Sequence, residues 1–519
     1  MSQQLQNSPS LIQRLLMSLL FCMAPFSSHA AKLLNGPIPG ASTMHDILIW
    51  VQTDASAEVW IEYKSTDDES EQTYRSDSYT TKREKGFAEE ILLIEGLVPG
   101  GKYSFSVFVD GEKQSVPFRD GYKQSGEIPM TFQVKPNWRF QPTEDGGRHS
   151  FFDFRLAMGS CAYINEPGTD RATGKPYGGD YRIFESIYEK DPDLMLWLGD
   201  NVYYREYDFE SRNGMIHRWT HDRQTPEIRA LFANSIHLAT WDDHDYGPND
   251  IGASFTLKDT AKEIFDLMWP NPSSGTREIP GIFTFYNWGD VNIFMLDNRF
   301  YLSTAPGDPE AFGKEKSMLG RKQVDWLVDH LIWAQSQMWT DSKSYPARFN
   351  LICTGNQVLN NSGNSHGYRA FKKEWQYLID RIVHEKIAGV VFLSGDVHFG
   401  EVNRLDYIGG GMPGTPGKAG IPDRSHTLLE VTSSPLTAGS WAGHKENDAR
   451  YDIFDGEPDR AGQRNFVTLD FKGPSKERVM EIRYWDSDGN LLNQKEGAAE
   501  GVITDKSTIK ARDLWAPRK

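Results

Sequence analysis

The chain runs to 519 residues, too long for one small domain, and its 38% apolar and 12% aromatic content excludes a disordered polymer. Its net charge of −16, with no basic cluster, excludes nucleic-acid binding through a phosphate-backbone footprint. An acidic protein that acts on an anion needs local positive charge at its site, and metal ions are one source of it.

In chain order, Arg14 precedes an apolar run over 15–24, and Ser28-His29-Ala30 places small residues at −3 and −1 of a cleavage point. That pattern predicts a signal peptide over 1–30, with an apolar core too short to span a bilayer. No paired arginines precede the run, so a general secretory route is expected, and the rest of the chain carries no span-length apolar run. Localisation outside the cytoplasm follows as an expectation. Cys22 leaves with the signal. Cys161 and Cys353 remain, and in an exported chain one disulfide between them is the simple expectation.

Residues 31–140 read as an all-β domain, with period-2 alternation from about 40 to 135. Val59, Ile61 and Tyr63 share a face, as do Tyr103, Phe105, Val107 and Val109, and Asp110-Gly111 supplies a hairpin turn. The phrase Leu97-Val98-Pro99-Gly100-Gly101-Lys102-Tyr103 resembles a corner in fibronectin type III-like sandwiches. A polar linker is expected over 136–149.

From 150 to 519 strands alternate with helical patterns, which predicts an α/β fold with a largely parallel sheet. Helices are expected around Ile183, Phe184, Ile187 and Tyr188; around Val324, Leu327, Val328, Leu331 and Ile332; and around Phe371, Trp375, Leu378, Ile379 and Ile382. Strands are expected over 154–158, 194–198, 291–296, 349–353 and 390–393, then 428–431, 465–471 and 479–485, with Asp488-Gly489 closing a hairpin. The Gly- and Pro-rich stretch 408–422 is expected as a surface loop.

Five clusters fall where apolar strands end: Gly159-Ser160-Cys161, Gly199-Asp200-Asn201-Val202-Tyr203, Trp241-Asp242-Asp243-His244-Asp245, Gly355-Asn356-Gln357 and Gly395-Asp396-Val397-His398. The edge where parallel strands end is where open α/β sheets collect ligands. Carboxylates gathered there repel one another unless a cation sits between them. Thiol, phenol, carboxylates, amides and imidazoles together form the donor set of a two-metal hydrolytic site, in which one carboxylate bridges the ions.

The order of these clusters resembles the PhoD-like alkaline phosphatase and phosphodiesterase family, which is similar to the purple acid phosphatases among the calcineurin-like metallophosphoesterases. The resemblance covers about 150–450. It implies an αββα metallophosphatase sandwich behind a fibronectin III-like domain, acting on phosphate esters through a metal-bound hydroxide without a phosphoenzyme. No Gly-x-Ser-x-Gly elbow stands at a strand end to suggest otherwise. By the same resemblance Asp200 bridges the metals. Cys161, Tyr203 and His398 complete a ferric site, while Asp243, Asp396 and Asn356 or Gln357 hold the second ion, calcium. His244 is the implied catalytic imidazole, with Asn249 as a further contact. Arg299, in Leu296-Asp297-Asn298-Arg299, matches the family's Asp-x-Arg element and binds phosphate; the alternative is an ion pair with Asp297 or another carboxylate. A monomer is expected. The rival reading is a secreted, non-catalytic calcium-binding module.

Overall fold

The computed structural model describes residues 30–67, 72–136, 152–170, 175–303, 316–340, 348–363, 366–408, 425–441, 447, 449–454, 462–474 and 477–514. The predicted signal peptide up to residue 29, the linker from 137 and the 409–422 part of the Gly- and Pro-rich stretch lie outside the described residues. No helix among the described residues is long and apolar enough to cross a membrane.

The first strands are β1 (Leu33–Ser42), β2 (Ile47–Thr53), β3 (Glu58–Ser65), β4 (Tyr74–Arg75), β5 (Tyr79–Thr80), β6 (Ala88–Leu93), β7 (Lys102–Val109), β8 (Glu112–Lys113) and β9 (Thr131–Gln133). They form one antiparallel sheet ordered β1-β2-β6 and a second ordered β4-β3-β7-β8, with β5 on β3 and β9 on β7. Alternation decides the packing, because successive side chains leave a strand on opposite faces. Val59, Ile61 and Tyr63 are buried in one core with Tyr103, Phe105, Val107 and Val109, as the pattern predicts. Asp110 and Gly111 take positive φ values of 47° and 90°, which a tight hairpin turn needs. The Tyr103 hydroxyl donates to the Gly96 carbonyl and accepts from the Val98 amide, each at 2.9 Å, pinning the predicted corner.

The remaining strands are β10 (Phe154–Gly159), β11 (Leu194–Leu198), β12 (Ile236–Thr240), β13 (Thr284–Trp288), β14 (Val291–Met295), β15 (Phe349–Cys353), β16 (Val390–Ser394), β17 (Glu401–Ile408), β18 (Ser425–Thr432), β19 (Asn465–Lys472), β20 (Val479–Asp486) and β21 (Thr508–Lys510). They build two six-stranded sheets, β12-β11-β10-β19-β20-β21 and β13-β14-β15-β16-β18-β17. The expectation of one largely parallel sheet is corrected here. Parallel pairing holds within β10–β12 and across β14, β15, β16 and β18, while β13, β17 and β19–β21 run antiparallel. Strands buried on both faces are apolar throughout, and such runs carry no sign of which sheet they join.

Three apolar layers hold these sheets. Leu156, Met158, Leu194 and Leu196 meet Val291, Ile293, Leu351 and Val391 between them. On the outer face of the first sheet, Ala157, Met195 and Trp197 pack on the helix Arg182–Glu189 through Ile183, Phe184 and Ile187. On the outer face of the second, Phe294, Ile352 and Phe392 pack on Arg321–Thr340 and Lys372–His384 through Val324, Leu327, Leu378 and Ile382. The result is the expected αββα order. Each such side chain contributes roughly 1.5–3 kcal/mol through burial, so the body is held by area and not by any single pair. The predicted Cys161–Cys353 disulfide is not formed; both thiols are free and buried. Cys353 belongs to the inter-sheet core, whereas Cys161 lies in the turn after β10.

Candidate metal centre

The loops after β10, β11, β12, β15 and β16 leave their sheets at one edge, because parallel neighbours end in the same direction. Local backbone geometry then aims the side chains. Cys161, Asp200, Asp396 and His398 have φ values of 60°, 51°, 69° and 58°, in the left-handed region that L-residues seldom occupy. Such conformers cost about 1–3 kcal/mol each and cluster where function over-determines the backbone. Gly199 permits the approach of β11 to the turn after β12, since a Cβ there would lie 2.7 Å from Asp242 Cβ.

Two groups of side chains have metal-ligand spacing, Cys161 with Asp200 and His398, and Asp200 with Asp243 and His244, their ligand atoms within 4.8 Å of one another. Asp200 belongs to both. Its Oδ2 lies 3.5 Å from Cys161 Sγ, and its Oδ1 accepts from the His244 amide at 3.2 Å. Tyr203 OH is 3.3 Å from His398 Nε2, and the Tyr203 ring packs against His244 with centroids 4.2 Å apart and planes tilted by 32°. His398 Nδ1 lies 2.5 Å from the Gly439 carbonyl, so the proton sits on Nδ1 and Nε2 is left as a donor atom. The structure therefore brings Cys161, Asp200, Tyr203, Asp243, His244 and His398 close together.

Behind them, Asn356 Nδ2 reaches Asp396 Oδ2 at 3.1 Å, which places both beside the second group. Asn356 and Gln357, the two candidate amides, take different partners. Gln357 turns away to Glu401 and Thr432 at 3.0 and 3.1 Å. Two other expectations are corrected. Arg299 is only 2% exposed, and its guanidinium is ion-paired with Asp242 and lies 3.8 Å from Asp243. The ion-pair alternative therefore holds, with Asp242 as partner and not Asp297, which accepts from the Trp241 indole and the Arg299 and Phe300 amides. Asn249 donates to the neighbouring Asp250 carboxylate at 2.6 Å. It is the Asp250 amide that reaches Asp243, at 2.7 Å.

Burial dominates the electrostatics. It pushes Asp200 well above the usual carboxylate range, helped by Cys161 and Asp243, and pushes Asp396 up likewise with Asp243 adding to it. Burial also drives the Cys161 thiol up to about 12. Asp243 is the exception: against the push of its burial, Arg299 and His244 hold it down to about 2. Acid groups that resist ionisation in a buried cluster gain most from a bound cation, which reverses the balance. The donor chemistry fits such ions: thiol, phenol and imidazole on one side of Asp200, carboxylates and an amide on the other.

Several supporting residues escaped the sequence reading. Ser434 Oγ donates to Cys161 Sγ at 3.2 Å and accepts from the His398 amide at 3.1 Å. Tyr177 OH lies 3.4 Å from His398 Nδ1. Asn298 donates to Asp242 and Asn356 at 2.8 and 2.6 Å. Asp245 accepts from the Val202 and Asp242 amides at 3.0 Å each, tying the second and third clusters. Asn298 and Asp245 lie inside motifs already read; Ser434 follows strand β18 with no motif to mark it.

The family description PhoD-like phosphatase matches residues 156–479, and residues 30–126 match a domain of unknown function (DUF7800). No curated protein matches the chain in sequence. A solved structure described as that of PhoD is 15% identical, with a TM-score of 0.64, covering 93% of this chain and 97% of that one. The purple acid phosphatase PPD1 from yellow lupin (Lupinus luteus) seeds is 12% identical, with a TM-score of 0.55 over 88% of this chain and 72% of that one. At these identities the likeness is one of fold. Fold and family match together define a phosphoester hydrolase. The chain belongs to the PhoD-like phosphatases.

Proposed function

We propose that the chain is an exported phosphoester hydrolase holding two cations that share the Asp200 carboxylate. Cys161, Tyr203 and His398 would hold one, and thiolate with phenolate suits ferric iron. Asp243, Asn356 and Asp396 would hold the other, an oxygen-rich set that suits calcium. When bound, the ions supply Lewis acidity to the phosphoryl group and lower the pKa of water, which removes the need for a phosphoenzyme. The observation that carries this reading is the membership of Asp200 in both ligand groups.

The chain's own residues have separate tasks. Asp200 and Asp243 would hold the ions that face the phosphate, with Asp243 held ionised by Arg299 and His244. Arg299 is a positioning residue, because it is buried on Asp242. His244 is half-buried, unlike the nine-tenths-buried carboxylates around it, and supplies the proton to the leaving oxygen. On this reading a fibronectin III-like domain occupies 31–140 and the hydrolase 150–519, in a monomer that follows a signal peptide at 1–30.

His244→Ala is the test. Turnover of a chromogenic phosphodiester is expected to fall by 10²–10⁴-fold, the usual worth of one proton-transfer group, with metal content kept. Full turnover in that variant would remove His244 from the chemistry. Metal-loaded wild-type protein with no esterase activity would favour the calcium-binding module.

A further inference from the structure

A cleft of about 250 Å³ opens beside the candidate metal centre, lined by Asp396, Phe399 and Trp441 among others. It is joined to the centre on two sides. The Trp441 amide donates to the His398 carbonyl at 3.0 Å, and Asp250, also on the cleft wall, meets Asp243 through its own amide. Whatever fills the cleft while a phosphoryl group lies at Asp396 is the organic part of the ester.

Three observations restrict that part. Phe399 is 6% exposed, but Trp441 is 51% exposed, with ring centroids 6.1 Å apart and planes at 46°. A large indole left half open at a polar site is the surface that planar rings stack on. The basic side chains in the cleft are already partnered, His366 with Asp250 at 3.1 Å and Arg450 with the buried Glu401 at 2.9 Å. With Asp250 and Glu401 answering these groups and Asp396 assigned to the ion, the described side chains of the cleft offer no surplus positive charge to a second anionic group. The volume also lies below the ~300–1,000 Å³ of sites for drug-sized ligands, which suits one ring and not a long acyl chain.

We propose that this cleft is the subsite for the alcohol portion of the ester, that it selects an uncharged planar ring, aryl or nucleobase, and that Trp441 determines this selectivity. The inference rests on the phosphoester reading above and adds the substrate class to it.

Benzyl phosphate and cyclohexylmethyl phosphate test it, since both are primary-alcohol esters of similar size and only one ring is flat. The wild-type chain is expected to favour the benzyl ester in kcat/KM by roughly tenfold, a stacking-sized effect carried in KM. In Trp441→Ala the ratio is expected to fall to about one, and in Trp441→Phe to be largely restored; the phenylalanine variant also reports whether the alanine variant is folded. Adenosine 5′-phosphate set against ribose 5-phosphate identifies the ring, a preference for the former supporting a nucleobase and equal turnover supporting a simple aryl group. Equal turnover of the benzyl and cyclohexylmethyl esters by wild type, or a ratio unmoved by Trp441→Ala, overturns the subsite. Failure to cleave both p-nitrophenyl phosphate and bis(p-nitrophenyl) phosphate overturns the underlying phosphoester reading instead, so the two failures are distinguishable.

Discussion

Arg299 lies buried with its guanidinium on Asp242 and 3.8 Å from Asp243, while Asn298 and Asn356 close the other sides of Asp242. Removing the arginine strands two buried carboxylates. Arg299→Leu is therefore expected to cost about 3–5 kcal/mol of stability. The double variant with Asp242→Asn should lose less than the two single losses summed, which a thermal or urea double-mutant cycle measures. A variant of unchanged Tm but raised KM would restore the phosphate-binding role implied by the sequence motif. Ser434 acts on the other side, through its hydrogen bond to Cys161 Sγ. Ser434→Ala is expected to weaken the ion there by about 10–100-fold at unchanged Tm, read by competition with a chelator. At this scale the sequence was most informative for side chains whose partners lie in the same five clusters. It could not decide Asn356 against Gln357, because neighbours leave the chain in opposite directions and the captor of Gln357, Glu401, lies 44 residues on.

Strand β12 shows what periodicity misses. Ile236–Thr240 carries His237 and Thr240 among its apolar residues, so its composition reads as mixed, yet all five positions are buried. The polar pair is satisfied: His237 Nδ1 accepts from the Trp197 indole at 3.0 Å, its Nε2 meets the Leu231 carbonyl at 3.1 Å, and Thr240 donates to Leu296 O at 2.5 Å. Burial pulls His237 down to about 3. Above the unfolded value of about 6.5 both states are neutral and no penalty arises. As pH falls through that value the unfolded chain takes a proton that the folded strand refuses, so stability drops until about pH 3. Between about pH 7 and pH 5 the loss should be roughly 2 kcal/mol, and His237→Gln should flatten it in urea titrations at the two pH values. An equal slope in both proteins would mean that other groups set the acid limit. Strands β10, β11, β15 and β16 were legible because each is a short apolar run ended by a Gly-containing turn. Their division between two sheets was not, since sheet membership is set by distant returns such as β19.

Across the whole molecule, the N-terminal sheets are not an appendage. Ile38, Trp50 and Ala88 share a core with Trp219, Phe265 and Trp269 of the hydrolase part. The Trp50 indole donates to Leu267 O at 2.8 Å, and Asn35 and Gln52 bond Thr220 at 3.0 and 2.9 Å. Arg223 is buried between Trp50, Trp219 and Trp269, 4.3, 5.2 and 4.6 Å from their ring centres, and burial lowers it only to about 9, so it stays charged at neutral pH. One calorimetric transition is expected for the full chain, and Trp50→Ala should lower it as a unit by about 3–5 kcal/mol. Two resolved transitions would separate the parts. On the proposed function, cations held at Asp200 make the hydrolysis possible. Stripping the protein and titrating metal back while following phosphate release tests it most directly. Activity should be lost on stripping, return as two equivalents are bound, and fail to return in Asp200→Asn; a stripped protein that hydrolyses esters at the full rate would contradict it.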